Sequence, residues 1–66
     1  MKISLKAARV NVNLTQEQVG KILGFSKDTV KHIENGKREL RVNELDRLCA
    51  IYHCTRDDIF LPYKSP

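Results

Sequence analysis

The stretch from Thr15 to Gly36, TQEQVGKILGFSKDTVKHIENG, admits few folds because it places two helix starts and two helix stops in quick succession. Thr15 is spaced to cap a first helix. Its hydroxyl accepts from the amide three residues on, and Gln18 at that position reaches back to the amide of the cap. Leu14 and Val19 stand where a hydrophobic staple forms across the cap. Inside the helix Val19, Ile22 and Leu23 fall at i, i+3 and i+4, which predicts one buried stripe, and Gly24 follows where a left-handed residue ends it. Ser26 then caps a second helix, Phe25 and Val30 repeat the staple, Ile33 continues the buried stripe and Gly36 closes it. Gly20 is the exception in this pattern. A glycine inside a helix costs about 1 kcal/mol relative to alanine, so a close approach by the following helix, through Val30 or Ile33, is expected there.

At about 100° per residue, residues 27–35 divide into two sides. Thr29, Val30, Ile33 and Glu34 share one; Lys27, Asp28, Lys31, His32 and Asn35 share the other, which is polar throughout. Those groups donate to or accept from base edges and phosphates, and they ride on a helix fastened from behind. Any short amphipathic helix has a solvated face, so this face alone does not establish a function.

The surrounding residues supply the context. Gln16, the Val19-Gly20 pair, Gly24, Ser26, the Val30 and Ile33 spacing and the run Ile33-Glu34-Asn35-Gly36-Lys37 together resemble the helix-turn-helix domain of phage repressors and Cro proteins. The likeness extends from about Leu5 to Phe60. It implies an all-α, five-helix DNA-binding domain over residues 1–61, with a short tail over 62–66. In that family the arginine at the position of Arg9 pairs with the glutamate at the position of Glu34, so a structural ion pair between the first and third helices is implied. Alanine usually occupies the position of Gly20.

Charge points the same way. The net charge is +4, but residues 1–41 hold nine Lys and Arg against four acids, and residues 42–66 hold three against four. The cationic half contains the two-helix unit and suits the salt-sensitive part of nucleic-acid affinity. Sixty-six residues allow one domain with one small core and leave no cleft between domains. No nucleophile stands beside a base at motif spacing, and no glycine loop is built for phosphates, so neither an enzyme nor a small-molecule substrate is expected. The chain has no long apolar run and no signal-peptide pattern, which predicts a cytoplasmic protein without a membrane segment.

Flanking helices complete the expected bundle. Ser4 through Val12 reads as the first, with Leu5, Ala8 and Val12 inward and Asn13 as a left-handed stop. Val42 through Tyr52 reads as the fourth, with Val42, Leu45, Leu48, Cys49 and Tyr52 on its apolar face, and His53 where glycine usually ends a helix. Thr55 opens the last, with Ile59 and Phe60 facing the core and Pro62 ending it. Cys49, His53 and Cys54 are close in sequence, but zinc sites use tighter paired spacings and His32 belongs to the opposite face, so no metal or cofactor is expected. Both cysteines read as small core residues.

The resemblance also assigns contacts. Lys27, Asp28, Thr29 and His32 match the positions that reach base edges. Gln16, at the start of the second helix, matches a phosphate contact. Lys37, Arg38 and Arg41 lie in the loop that runs beside the sugar-phosphate backbone, and Lys31 and Asn35 flank the groove as further phosphate contacts. Arg41 has an alternative place at the start of the fourth helix, near Glu44. The implied partner is double-stranded DNA, bound by a homodimer with half-sites about 34 Å apart. Ile59, Phe60, Leu61 and Tyr63 exceed what a small core needs and are the expected dimer contact. An alternative of another class is a protein-interaction module of the same fold, an antitoxin or antirepressor partner working through that C-terminal apolar surface.

Overall fold

Caps decide where each helix begins. In the computed structural model, which describes residues 2–61, Ser4 Oγ accepts from the Ala7 amide at 3.0 Å and opens α1 (Leu5–Asn11). Asn13 stops it with φ of 60°. The expected capping box starts α2 (Gln16–Leu23): the Gln18 amide donates to Thr15 Oγ1 at 3.1 Å and the Thr15 amide to Gln18 Oε1 at 2.8 Å. Gly24 ends it in the left-handed region, at φ of 80°. Ser26 Oγ accepts from the Thr29 amide at 3.1 Å to start α3 (Lys27–Glu34), and Gly36 turns the chain away at φ of 79°. Arg41 precedes α4 (Val42–Tyr52). Arginine has no acceptor, so the second half of a capping box acts alone there: the Arg41 amide donates to Glu44 Oε1 at 2.9 Å. His53 closes α4 at φ of 56°, a conformation glycine adopts without a Cβ penalty.

The fifth expected helix does not form, so the described residues hold four α-helices rather than the expected five. Thr55 does open a turn, but Arg56–Asp58 makes a single 3-10 turn, too short to nucleate an α-helix. Asp58 folds back across it, accepting from both the amide and the hydroxyl of Thr55 at 3.0 Å. The chain then extends as β2 (Ile59–Phe60), which pairs in parallel with β1 (Ile3–Ser4). Ile3 stands opposite Ile59, and Ser4 opposite Phe60. The fold is mostly helical, with its two ends joined by this small ladder.

All four helices contribute to one core, Leu5, Ala8, Val19, Leu23, Val30, Ile33, Leu48, Cys49 and Tyr52, and β2 adds Ile59. Cys49 is a core residue as expected, and Cys54 packs against it from a half-buried position. Burial and the neighbouring Cys54 push the Cys49 thiol up to about 11.

Three apolar residues expected inside lie outside: Ile22, Val42 and Phe60 are more than half exposed. On α2, Gly20 lies about 100° to one side of Val19 and Ile22 about 60° to the other. The turn into α3 packs over the Gly20 side, which shifts the buried arc away from Ile22. Val42 sits in the open first turn of α4, and Phe60 follows the buried Ile59 along a strand, where successive side chains take opposite faces. Among the described residues no helix is long and apolar enough to cross a membrane.

Candidate nucleic-acid interface

The outward face of α3 depends on how closely its turn is seated. The Phe25 amide donates to the Gly20 carbonyl at 2.7 Å, and a Cβ added to Gly20 would lie 2.5 Å from the Phe25 carbonyl oxygen. The close approach expected at Gly20 is therefore made by the backbone of the turn, not by Val30 or Ile33. Val30 and Ile33 instead point into the core behind α3, and α2 packs more extensively against α3 than against any other element.

With that side fixed, Lys27, Asp28, Lys31, His32 and Asn35 are all exposed on the other. None of the five makes an ion pair with another described residue. Thr29 is half-buried, and its hydroxyl is 2.9 Å from Ser26 Oγ, so that hydroxyl is engaged at the cap.

Behind α3 lies a buried polar knot. Arg9 Nε donates to Glu34 Oε2 at 2.7 Å and Nη2 to Oε1 at 3.4 Å, while Nη1 donates to the Leu14 carbonyl at 2.8 Å. The implied pair joining the first and third helices is present, its side chains only 10% and 4% exposed. Gln16 joins it: Nε2 donates to Glu34 Oε1 at 2.9 Å. A primary amide nitrogen carries two N–H groups, so one is left over at the positive end of α2.

The loop after α3 separates its cations. Lys37 is exposed and makes no ion pair with a described residue. Arg38 is half-buried, with its guanidinium 4.9 Å from the centre of the Phe25 ring and forked onto Glu44, Nη1 to Oε1 at 3.3 Å and Nη2 to Oε2 at 3.1 Å. Arg41 takes the alternative place at the start of α4, its amide on Glu44 and its side chain exposed. The Arg38 guanidinium and the Arg41 amide together hold the Glu44 carboxyl below its ordinary range. Sequence reasoning missed Glu44 as a hub. Its spacing of three from Arg41 was the available signal, since a glutamate at that position reaches back to the residue before the helix.

At the chain's other end Ile59 is buried in the core, Phe60 is exposed and Leu61 half-buried. Tyr63, also expected at a dimer contact, lies outside the described residues.

Comparison with known proteins gives three findings. A family model described as a helix-turn-helix domain matches residues 3–59. An uncharacterised HTH-type transcriptional regulator of Methanocaldococcus jannaschii is 36% identical over 61 residues, which cover 92% of each chain. Another, from Archaeoglobus fulgidus, is 26% identical over 61 residues, covering 92% of this chain and 86% of the relative. No solved structure gives a significant match.

Proposed function

This chain belongs to the helix-turn-helix domain family, and on that premise we propose that it is a sequence-specific DNA-binding transcriptional regulator of the Cro and repressor type, which inserts α3 into the major groove of an operator half-site. The observation that carries the reading is the set of five exposed polar residues on one face of α3, backed by a buried ion pair that fixes the helix from behind. Both named relatives are described as transcriptional regulators. The Cro and repressor type, of phage or bacterial origin, is what the resemblance contributes to this reading.

Each contact follows from chemistry. Lys27 suits guanine O6 and N7, Asp28 the cytosine amino group, the Thr29 methyl a thymine methyl, and His32 a base edge at the next turn of the helix. Lys37, Lys31, Asn35 and the spare N–H of Gln16 meet phosphates and set the register, with Arg41 at the periphery. A homodimer places two such helices one turn of DNA apart, and Phe60 and Leu61 are the apolar residues left for that contact. The reading assigns no catalytic step to the chain.

Selection of bound sites from random-sequence DNA, followed by titrations at two salt concentrations, tests this. Lys37→Ala is expected to weaken binding to every duplex and to reduce the salt slope by about one, whereas Lys27→Ala and His32→Ala relax preference at particular base pairs by roughly 1–3 kcal/mol each. Equal, sequence-independent losses from all three variants overturn the assignment of α3 as the reading element. Binding by the wild-type chain without any preference moves the function toward the protein-interaction module.

A further inference from the structure

We propose that Arg38 is a positioning residue for α3 and not a contact to the DNA backbone, an inference that rests on the DNA-binding function proposed above. Three attachments carry it. The Arg38 amide donates to the His32 carbonyl at 3.3 Å, beside the 2.9 Å bond from the Lys37 amide, so its backbone is fastened to the last turn of α3. Its guanidinium lies over the ring of Phe25, the residue just before the Ser26 cap that opens α3. Its two terminal nitrogens meet both oxygens of Glu44, which also accepts the amide that starts α4.

One residue thus joins the end of α3, the turn that begins α3, and the helix that follows. A guanidinium held as a fork on a carboxylate and stacked on an aromatic face is fixed in orientation as well as in position. Swinging out to a phosphate would give up both the fork on Glu44 and the stacking on Phe25. Lys37, adjacent and exposed, meets the backbone at no such cost. Because α3 has only 8 residues, a small tilt displaces both Lys27 and His32 from base edges, and selective contacts tolerate little displacement.

The test compares the wild type, Arg38→Lys, Arg38→Gln and Glu44→Gln on two probes: a duplex selected by the wild-type chain from random-sequence DNA, and a shuffled duplex of the same composition. Circular dichroism at the assay temperature establishes that each variant is folded. A positioning role predicts that Arg38→Lys and Glu44→Gln each bind the selected duplex about tenfold more weakly, a change of about 1.4 kcal/mol. Both keep wild-type affinity for the shuffled duplex and the wild-type salt slope, and a chain carrying Arg38→Lys together with Glu44→Gln is no weaker than either single variant. Lysine retains the charge but not the fork, so it does not rescue. A backbone contact predicts the reverse: Arg38→Lys behaves as wild type, Arg38→Gln lowers the salt slope by about one, and Glu44→Gln binds both duplexes more tightly by releasing the arginine. That result overturns the inference alone. A wild-type chain that selects no sequence overturns the proposed function and this inference together.

Discussion

Two arginine–glutamate pairs hold α3, and they differ in what surrounds them. Arg9–Glu34 lies behind the helix, 10% and 4% exposed, with Leu14 and Gln16 taking further hydrogen bonds. Arg38–Glu44 lies at the rim, 36% and 14% exposed, with an aromatic ring over the guanidinium. The chemistry of the charges is the same. Water can take over from a missing partner at the rim and cannot do so behind the helix, so the inner pair governs whether α3 is held at all, and the outer pair governs how it is aimed.

The largest expected effect tests the inner half of that contrast. Glu34→Ala strands the Arg9 guanidinium in a dry site and deprives Gln16 of its acceptor, which costs roughly 3–5 kcal/mol. In a domain of this size each kcal/mol lowers the melting temperature by about 4–8 °C, so a drop of more than about 10 °C is expected in a thermal melt followed by circular dichroism. A loss at Glu34 no larger than that at Glu44 removes the distinction between the pairs.

A second variant asks whether side chains alone seat the helix. Alanine favours a helix interior over glycine by about 1 kcal/mol, but at Gly20 the new Cβ would meet the Phe25 carbonyl oxygen at 2.5 Å. That oxygen belongs to the backbone of the turn, whose neighbouring amide is already bonded to Gly20, and it cannot step aside without moving α3. Overpacking costs typically about 1–3 kcal/mol. The net expectation for Gly20→Ala is therefore a loss of up to about 2 kcal/mol, read from chemical denaturation. A variant more stable than the wild type shows that the turn yields freely and that the two ion pairs suffice.

The contrast also marks what the sequence reveals. Helix starts and stops were legible because Thr15, Gln18, Ser26, Gly24 and Gly36 act on their near neighbours, and local chemistry is written locally. The inner pair was legible only through family resemblance, since Arg9 and Glu34 are far apart along the chain. Ile22 was misplaced because helical spacing gives a stripe but not the direction from which the next element arrives, and the turn came in over Gly20. The fifth helix was misjudged for a related reason. Thr55 and Asp58 do form a cap-like turn, but its continuation was decided by Ile3, whose strand captured Ile59. Arg38 was read by its charge, and no pattern in the sequence gives the position of Phe25 over it.

The smallest expected effect belongs to the outer pair and has a definite pH dependence. Hydrogen bonds from the Arg38 side chain and the Arg41 amide stabilise ionised Glu44 and lower its pKa in the folded chain below the ordinary value of 4.5. A carboxyl whose folded pKa is depressed contributes its stability above the unfolded value and loses it as the pH falls through the folded one. Glu44→Gln keeps an acceptor for the Arg41 amide but replaces the charge facing Arg38, and one of the two oxygens it meets, with a neutral amide, so its cost at neutral pH is limited to roughly 0.2–1 kcal/mol for a pair in partial contact with water. The difference in melting temperature between wild type and variant should stay constant from neutral pH down to the ordinary carboxyl range and close below it. Asp58 is also held low, by Thr55, but it is present in both proteins and cancels in the comparison. A difference that persists at low pH shows that Glu44 acts through packing and not through its charge. The rim would then resemble the interior, and water would not be what distinguishes the two pairs.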